Sequence, residues 1–396
     1  MKLIRKIKNI FANFSTFLSM IVVIFLSGAI IYYCFSNGFK HMSFKMFVND
    51  YYETAYYLTS EKEDGIINEY LTYDEYEYYS SSWGISLIDD KDLEGNDCVK
   101  INYIHENSPL LNDQNDKNQI KTGMVVKRIQ LNINDKNEIL TYKDGAKLIV
   151  DKLELSSKIN ELYFCSLGGG FRGSLLSTIY LILLTLLFSL PLGIFVALYL
   201  ANYAKENKFT KILRTLIDMI SGIPSIIFGL VGVIIFIPIV SKFTPSNGLS
   251  IIAGALTMSI MLLPLIIKNV EDAINAIPKG YKMSSLALGA SETQTTFKII
   301  LPNAINGILT STLLSIGRII GESAALIFVM GSAIQDKVSI FEGATTLSTH
   351  IWNVIAGENP NYSLACSISI VILIVVFILN LLVKLSMKRL NRFEVK

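Results

Sequence analysis

The chain has 396 residues, 51% hydrophobic and 17% charged, with 35 basic against 33 acidic side chains and a formal net charge of +2. Together with a mean hydropathy of +0.46, this excludes a water-soluble globular protein and a polyanion binder, so no nucleic acid is expected as a partner. The apolar residues cluster into stretches long enough to cross a hydrocarbon core, which takes about 20 residues of helix.

Six such stretches are predicted: Phe14–Phe35, Leu175–Tyr199, Ile212–Val240, Ile251–Ile267, Ala304–Met330 and Tyr362–Val383. The first is too long for a signal-peptide core and lacks a small-residue cleavage site. The third contains Pro224 and Pro238 and is expected to be tilted or broken. Basic residues set the orientation. They gather at the N-terminus (Lys2, Arg5, Lys6, Lys8), between the second and third spans (Lys205, Lys208, Lys211, Arg214) and in the tail (Lys384, Lys388, Arg389, Arg392, Lys396). The alternate connections hold only Lys242 and Lys337. Both termini and the 268–303 connection are therefore predicted cytoplasmic, and residues 37–170 extracytoplasmic, in a multi-pass bacterial plasma-membrane protein in contact with membrane lipid.

The extracytoplasmic insert reads as two parts, 37–82 and 83–167. Residues 51–82 are rich in Tyr and acid: Tyr51, Tyr52, Tyr56, Tyr57, Tyr70, Tyr73, Tyr76, Tyr78 and Tyr79. They suit either a packed layer at the water interface or a docking surface. From Trp83 the pattern is short alternating strands, Gly84–Ile88, Cys98–Ile104, Met124–Ile129 and Leu162–Phe164, with a helix in Asp144–Leu155. This order, with Asn107-Ser-Pro-Leu110 ahead of Lys121-Thr-Gly-Met124, resembles a PDZ-type domain. In such domains a peptide adds a strand to a sheet edge and a Gly-x-x-x loop captures its carboxylate. Gly84, Ile85, Ser86 and Leu87 stand in the place of that loop. A cap that binds nothing, or that only positions a binding protein, fits the same pattern.

Cys98 and Cys165 both fall in the insert, which leaves a disulfide open, whereas Cys34 and Cys366 sit in spans as packing thiols. His41, His105 and His350 are isolated loop residues outside the hydrocarbon core. They make no H-E-x-x-H pair, which rules out a membrane-embedded zinc protease. No metal and no cofactor are expected.

In the fifth span Arg318 lies near the middle, with Glu322 four residues on and so on the same helical face. A charge at that depth costs on the order of 2.5–3.5 kcal/mol and survives where it faces protein or water. Two readings stand: the pair neutralises itself and pins the helix, or the planar guanidinium meets a passing oxyanion. Ser315 and Ser323 add neutral donors, and Gly317 and Gly321 form a small-residue stripe for close helix approach. The third span contributes Gly222, Pro224 and Ser225, where a broken helix is tolerated only if buried or lining a cavity.

The cytoplasmic connection contains Met283-Ser-Ser-Leu-Ala-Leu-Gly289, then nine residues, then Ile299-Ile-Leu-Pro302. This spacing resembles the coupling loop of ATP-binding-cassette importer permeases. Arg318-Ile-Ile-Gly-Glu322-Ser, Gly222-Ile-Pro-Ser-Ile-Ile-Phe-Gly-Leu230 and Leu286-Ala-Leu-Gly-Ala290 are similar to the PstA-type permease of bacterial phosphate importers, over roughly residues 168–390. The resemblance implies an all-α polytopic membrane protein of the type I importer fold with an inserted α+β PDZ-like domain, divided as 1–36, 37–82, 83–167 and 168–390, the coupling loop at 271–303.

The same resemblance ties Arg318 and Glu322 to phosphate passage. It sets Met283, Ser284, Ser285, Gly289, Ala290, Ile299, Leu301 and Pro302 against the ATPase. The implied partners are a homologous PstC-type permease, two PstB-type cytoplasmic ATP-binding subunits, a PstS-type extracytoplasmic binding protein and inorganic phosphate. No G-x-x-x-x-G-K-[ST] loop is present, so ATP hydrolysis belongs to another chain and this one is not itself an enzyme. Two features depart from the family. Met283-Ser-Ser replaces the Glu-Ala-Ala that opens its loop, with Glu271 and Asp272 as candidate stand-ins for the acid, and the insert is far larger than the usual short loop. Arginine chemistry alone leaves sulfate, molybdate or phosphonate as alternative cargo, and an envelope sensor or scaffold as a different class.

Overall fold

The computed structural model describes residues 2–39, 42–53, 55–62, 77–91, 97–111, 120–134, 136–166, 168–205, 207–356 and 360–390. His41, Tyr70, Tyr73, Tyr76, Arg392 and Lys396 lie outside them. The chain forms two units, residues 43–172 and the remainder. Helix α1 (Lys2–Gly38) opens the helical unit.

Residues 43–172 build one antiparallel sheet of seven strands: β1 (Ala55–Glu61), β2 (Glu77–Ser80), β3 (Ile85–Lys91), β4 (Asp97–Ile104), β5 (Val125–Ile133), β6 (Lys136–Thr141) and β7 (Lys158–Cys165). Their order is β1-β7-β5-β4-β3-β2, with β6 on β5. The expected boundary at residue 82 is absent, because β1 pairs with β7 along Tyr56↔Phe164 and Leu58↔Leu162. Helix α2 (Gly145–Leu155) packs on the sheet through Ala146, Ile149, Val150 and Leu153, an i, i+3, i+4, i+7 stripe. A 3-10 turn, Tyr142–Asp144, leads into it, with Asp144 accepting from the Thr141 N–H and hydroxyl at 2.7 and 3.0 Å, and Asp89 accepts from the Ala146 N–H in the first turn of α2 at 2.8 Å. No disulfide joins Cys98 to Cys165. Burial, then the nearby Glu53 carboxylate, pushes the Cys165 thiol up to about 11.

The turn between β2 and β3 is fastened to the end of α2. Glu154 accepts from the Ser81 hydroxyl at 3.1 Å, the Ser82 N–H at 3.2 Å and the Ser82 hydroxyl. The buried Trp83 donates its indole N–H to the Leu153 carbonyl at 2.9 Å. Burial opposes ionisation of Glu154, but these donors outweigh it and hold its pKa below the usual 4.5. A carboxyl with a depressed folded-state pKa adds stability that is present above its unfolded pKa and is lost as pH falls through the folded one. Glu154→Gln is therefore expected to destabilise residues 43–172 at neutral pH by about 1–2 kcal/mol, solvent screening included. It also flattens the loss of stability below pH 4.5, as read by hydrogen exchange in the full-length protein.

The helical unit continues with α3 (Arg172–Leu198), α4 (Lys208–Ser221), α5 (Ser225–Val231), α6 (Ile237–Phe243), α7 (Ile251–Asn275), α8 (Lys279–Ala287), α9 (Glu292–Thr295), α10 (Ile305–Gly321), α11 (Ala324–Met330), α12 (Leu347–Ala356) and α13 (Tyr362–Leu390). Among the described residues, five helical segments can cross a membrane by length and composition: Asn13–Gly38, Arg172–Tyr203, Ser225–Phe243, Ile251–Asn275 and Tyr362–Leu385. Glu292–Asn303 and Ile305–Gly321, bent by 61° to each other, pass the same test only when taken together, which brings the number to as many as six. The protein is thus an all-α polytopic membrane protein carrying an inserted α+β domain.

The burial pattern is that of a membrane helix set. In α3, Ser174, Ser177, Thr178, Thr185 and Ser189 face inward and are buried, while Leu183, Leu187 and Phe195 are 60–64% exposed. Small hydroxylated residues make the contacts, because apolar side chains gain nothing over lipid by turning inward. The most enclosed span is α7, which packs Ile266 against Gly193, Gly254 against Met330 and Ala273 against Gly307. α1 meets α13 where Gly38 lies on the Cys366–Ser367 backbone.

Two spans differ from the sequence expectation. The third begins at Ser225, not Ile212, because Gly222-Ile-Pro224 interrupts the helix and residues 208–221 form the separate amphipathic α4. Pro224 sits at a helix start, where its missing N–H leaves no helical hydrogen bond unmade. The fifth is interrupted at Glu322 and Ser323, whose backbone leaves helical geometry (φ −78°, ψ 130° and φ −130°, ψ −42°).

Candidate pathway and coupling site

The two interruptions lie close together. Gly229 sits against Ala325, where a Cβ would come within 2.9 Å of the carbonyl oxygen, and Gly232 sits against Val329. The matching steps of 229 to 325 and 232 to 329 run α5 and α11 in the same direction. The break ahead of α5 (Gly222, Pro224, Ser225) and the break ahead of α11 (Glu322, Ser323) therefore fall at the same end of this helix pair. Broken helices leave backbone groups to be satisfied locally. At the second break the Glu322 carboxylate accepts from the Ala325 N–H at 3.2 Å, and the Glu322 carbonyl accepts from the Ser348 hydroxyl at 2.6 Å.

This alters the relation between Arg318 and Glu322. Continuous helix would have put them on one face, but the break turns Glu322 away to cap α11. Arg318 stays in the last turn of α10, exposed in the single chain, and makes no ion pair among the described residues. Gly317 and Gly321 flank it, and a Cβ on either would meet nothing within 4 Å. Among the described residues, no helix fills the small-residue stripe. Ser315 is buried and donates to the Ser311 carbonyl at 2.9 Å, so its hydroxyl is already engaged within its own helix. Ser323 is half-buried at the start of α11.

The coupling candidates also gather in one place. α8, preceded by Pro278, carries Met283, Ser284 and Ser285, and Gly289 turns the chain at φ +88°. Ser291 caps α9 reciprocally with Gln294. The Ser285 and Thr295 hydroxyls are 2.8 Å apart, tying α8 to α9. Between them lies a cleft of about 720 Å³ whose lining includes Ser284, Ser285, Leu288, Ala290 and Ile299. Leu301 is half-buried, and Pro302 is exposed at the start of the last short turn. Apolar groups project into solvent: Leu288 is 89% exposed, Met283 66% and Tyr281 54%.

The expected peptide loop sits differently. Gly84 has φ +59°, while Ile85, Ser86 and Leu87 are buried strand residues. Their backbone edge is already paired, with Ser80↔Ile85, Tyr79↔Ser86 and Tyr78↔Leu87. β2 thus occupies the edge of β3 where an added peptide was expected.

Sequence reasoning missed two clusters. His350, expected in a loop, is fully buried in α12, with its Nδ1 2.8 Å from the Ser174 hydroxyl, which also meets Thr345 at 3.0 Å. α12 folds back on the start of α3, and no local pattern announces that. Glu271, offered as a stand-in for the missing acid of the coupling loop, is buried and paired with Arg214, whereas Asp272 is exposed. The i+4 spacing of Arg214 and Asp218 on an amphipathic helix was the available signal.

Residues 189–394, just over half of the chain, match the model of the family described as "Binding-protein-dependent transport system inner membrane component". A Bacillus subtilis protein, "Probable ABC transporter permease protein YqgI", is 37% identical over 200 residues, covering 47% of this chain and 66% of that relative. "Phosphate transport system permease protein PstA 2" of Mycobacterium bovis is 30% identical over 229 residues, covering 56% and 74%. Among solved structures, the MetNI methionine ABC transporter in an inward-facing conformation is 20% identical with a TM-score of 0.46, covering 55% of this chain and 94% of that one. On the strength of the family match and the PstA-named relative, this chain belongs to the binding-protein-dependent transport system inner membrane components, the multi-pass permease subunits of ABC transporters.

Proposed function

We propose that this chain forms half of the translocation pathway of an ATP-driven phosphate importer. The observation that carries the reading is Arg318: a guanidinium in the middle of a broken span, released from Glu322 and flanked by two open glycines. Its planar fork suits a tetrahedral oxyanion, and the PstA name of a relative favours phosphate over sulfate, molybdate or phosphonate. A homologous PstC-type permease covers the Gly317–Gly321 stripe, and the two chains enclose the path. Two PstB-type ATP-binding subunits dock at the α8–α9 cleft, and a PstS-type binding protein delivers phosphate. Both termini and residues 268–303 lie in the cytoplasm and the insert lies outside, as the distribution of basic residues favours. Closure of the ATPases on ATP draws the coupling helices together and opens the path outward, and hydrolysis resets it.

The test is the assembled complex with its ATP-binding subunit. Phosphate-loaded binding protein is expected to stimulate ATP hydrolysis several-fold, and sulfate, molybdate and phosphonate are expected to leave it at the basal rate. Stimulation by one of these instead reassigns the cargo. No stimulation by any of them, in a complex that hydrolyses ATP, removes the importer reading.

A further inference from the structure

Two ion pairs connect elements that the pathway and the coupling cleft leave separate. α4 runs directly into the Gly222–Pro224 break, and α7 runs directly into α8. Arg214 of α4 reaches Glu271 of α7 at 2.5 Å, and its other amino group donates to the Leu200 carbonyl at 3.3 Å. One turn on, Asp218 of α4 reaches Lys268 of α7 at 2.6 Å. On each helix the basic residue precedes the acidic one, by four positions on α4 and by three on α7, so the pairs form one stripe between antiparallel partners. A slide of one turn would set Arg214 against Lys268, a like-charge contact, so the stripe fixes the register of the two helices.

The pairs differ in depth. The Glu271 side chain is only 10% exposed, whereas Arg214, Lys268 and Asp218 are 45–60% exposed. A buried carboxylate depends on its partner far more than a surface one does. Adhesion of α4 does not rest on charge, since Leu213, Ile217 and Ile220 already pack on the core. What the charges add is position.

We propose that Arg214, Glu271, Asp218 and Lys268 form a clamp that carries displacement of the coupling helix through α7 into α4, and so into the break ahead of α5. They are positioning residues, in contact with neither cargo nor ATPase. The proposal rests on the permease reading above, but its readout needs no cargo. In the assembled complex, with Cys34, Cys98, Cys165 and Cys366 replaced, Ser225→Cys reports the break by its rate of labelling with a soluble maleimide. ATP is expected to change that rate about tenfold, within the usual range of coupling between sites. Arg214→Glu and Glu271→Arg each reduce the change to under about twofold, and the double exchange restores it, whereas a role of either side chain apart from their pairing would leave the exchange as damaged as the singles. ATP hydrolysis that persists in the singles while the labelling response is lost separates coupling from mere loss of assembly.

Where reversal at the buried position prevents assembly, Asp218→Asn and Lys268→Gln at the exposed pair are each expected to cut the ATP response about threefold. An ATP response that persists in the single variants, one the exchange does not restore, or one absent from the parent overturns the clamp. Failure of phosphate to stimulate hydrolysis, by contrast, bears on the importer reading and its cargo and leaves the clamp standing.

Discussion

Arg318→Ala is expected to lower ATP-driven phosphate uptake into proteoliposomes by about two orders of magnitude, with Arg318→Lys between alanine and the native protein. Truncating a desolvated, hydrogen-bonded charge costs roughly 2–5 kcal/mol at a recognition site. Lysine keeps the charge but offers a point donor where a paired fork is needed, so it recovers part of the rate. The structure sharpens this expectation, because Glu322 is engaged with the start of α11 and is not there to neutralise the arginine. Glu322→Gln keeps an acceptor for the Ala325 N–H and is expected to cost less than tenfold. Native uptake in both arginine variants removes this residue from the pathway.

Leu288→Asp is expected to abolish co-purification with the ATP-binding subunit. An apolar side chain 89% exposed at the rim of a cleft, beside Met283 and Tyr281, has the form of an interface anchor. Losing such an anchor costs about 2 kcal/mol or more, and an aspartate buried there without a partner adds to that. The combined effect exceeds roughly thirtyfold in affinity. The family acid is absent here, with Met283-Ser-Ser in its place, and Glu271 is occupied by Arg214. On the proposed function, docking of the ATP-binding subunit therefore leans on apolar contact. Normal recovery of the complex with Leu288→Asp would contradict that.

The membrane spans were legible in sequence because burial in lipid demands long apolar runs, and that signal is local. The strands of the insert were legible for a similar reason: alternation in Cys98–Ile104 and Met124–Ile129 marks one buried face. β1 was not, because Ala55–Glu61 joins the sheet through a partner about 100 residues away. The Glu322 break was hidden by apolar residues on both sides. Helix periodicity cannot register a carboxylate that prefers the Ala325 N–H to Arg318. His350 and the Arg214–Glu271 pair depend wholly on how distant helices pack. The arginine itself stood out in sequence, since so few charges interrupt the spans, but its freedom from Glu322 could be seen only in the fold.

On the proposed function, Arg318 faces an aqueous path taken by phosphate. The most direct measurement is labelling of Arg318→Cys, in a background lacking the four native cysteines, by a charged membrane-impermeant thiol reagent in the assembled complex. Labelling that ATP opens and that phosphate-loaded binding protein slows is the predicted result. A thiol reached only by lipid-soluble reagents, or by none, would show that residue 318 lies away from any such path.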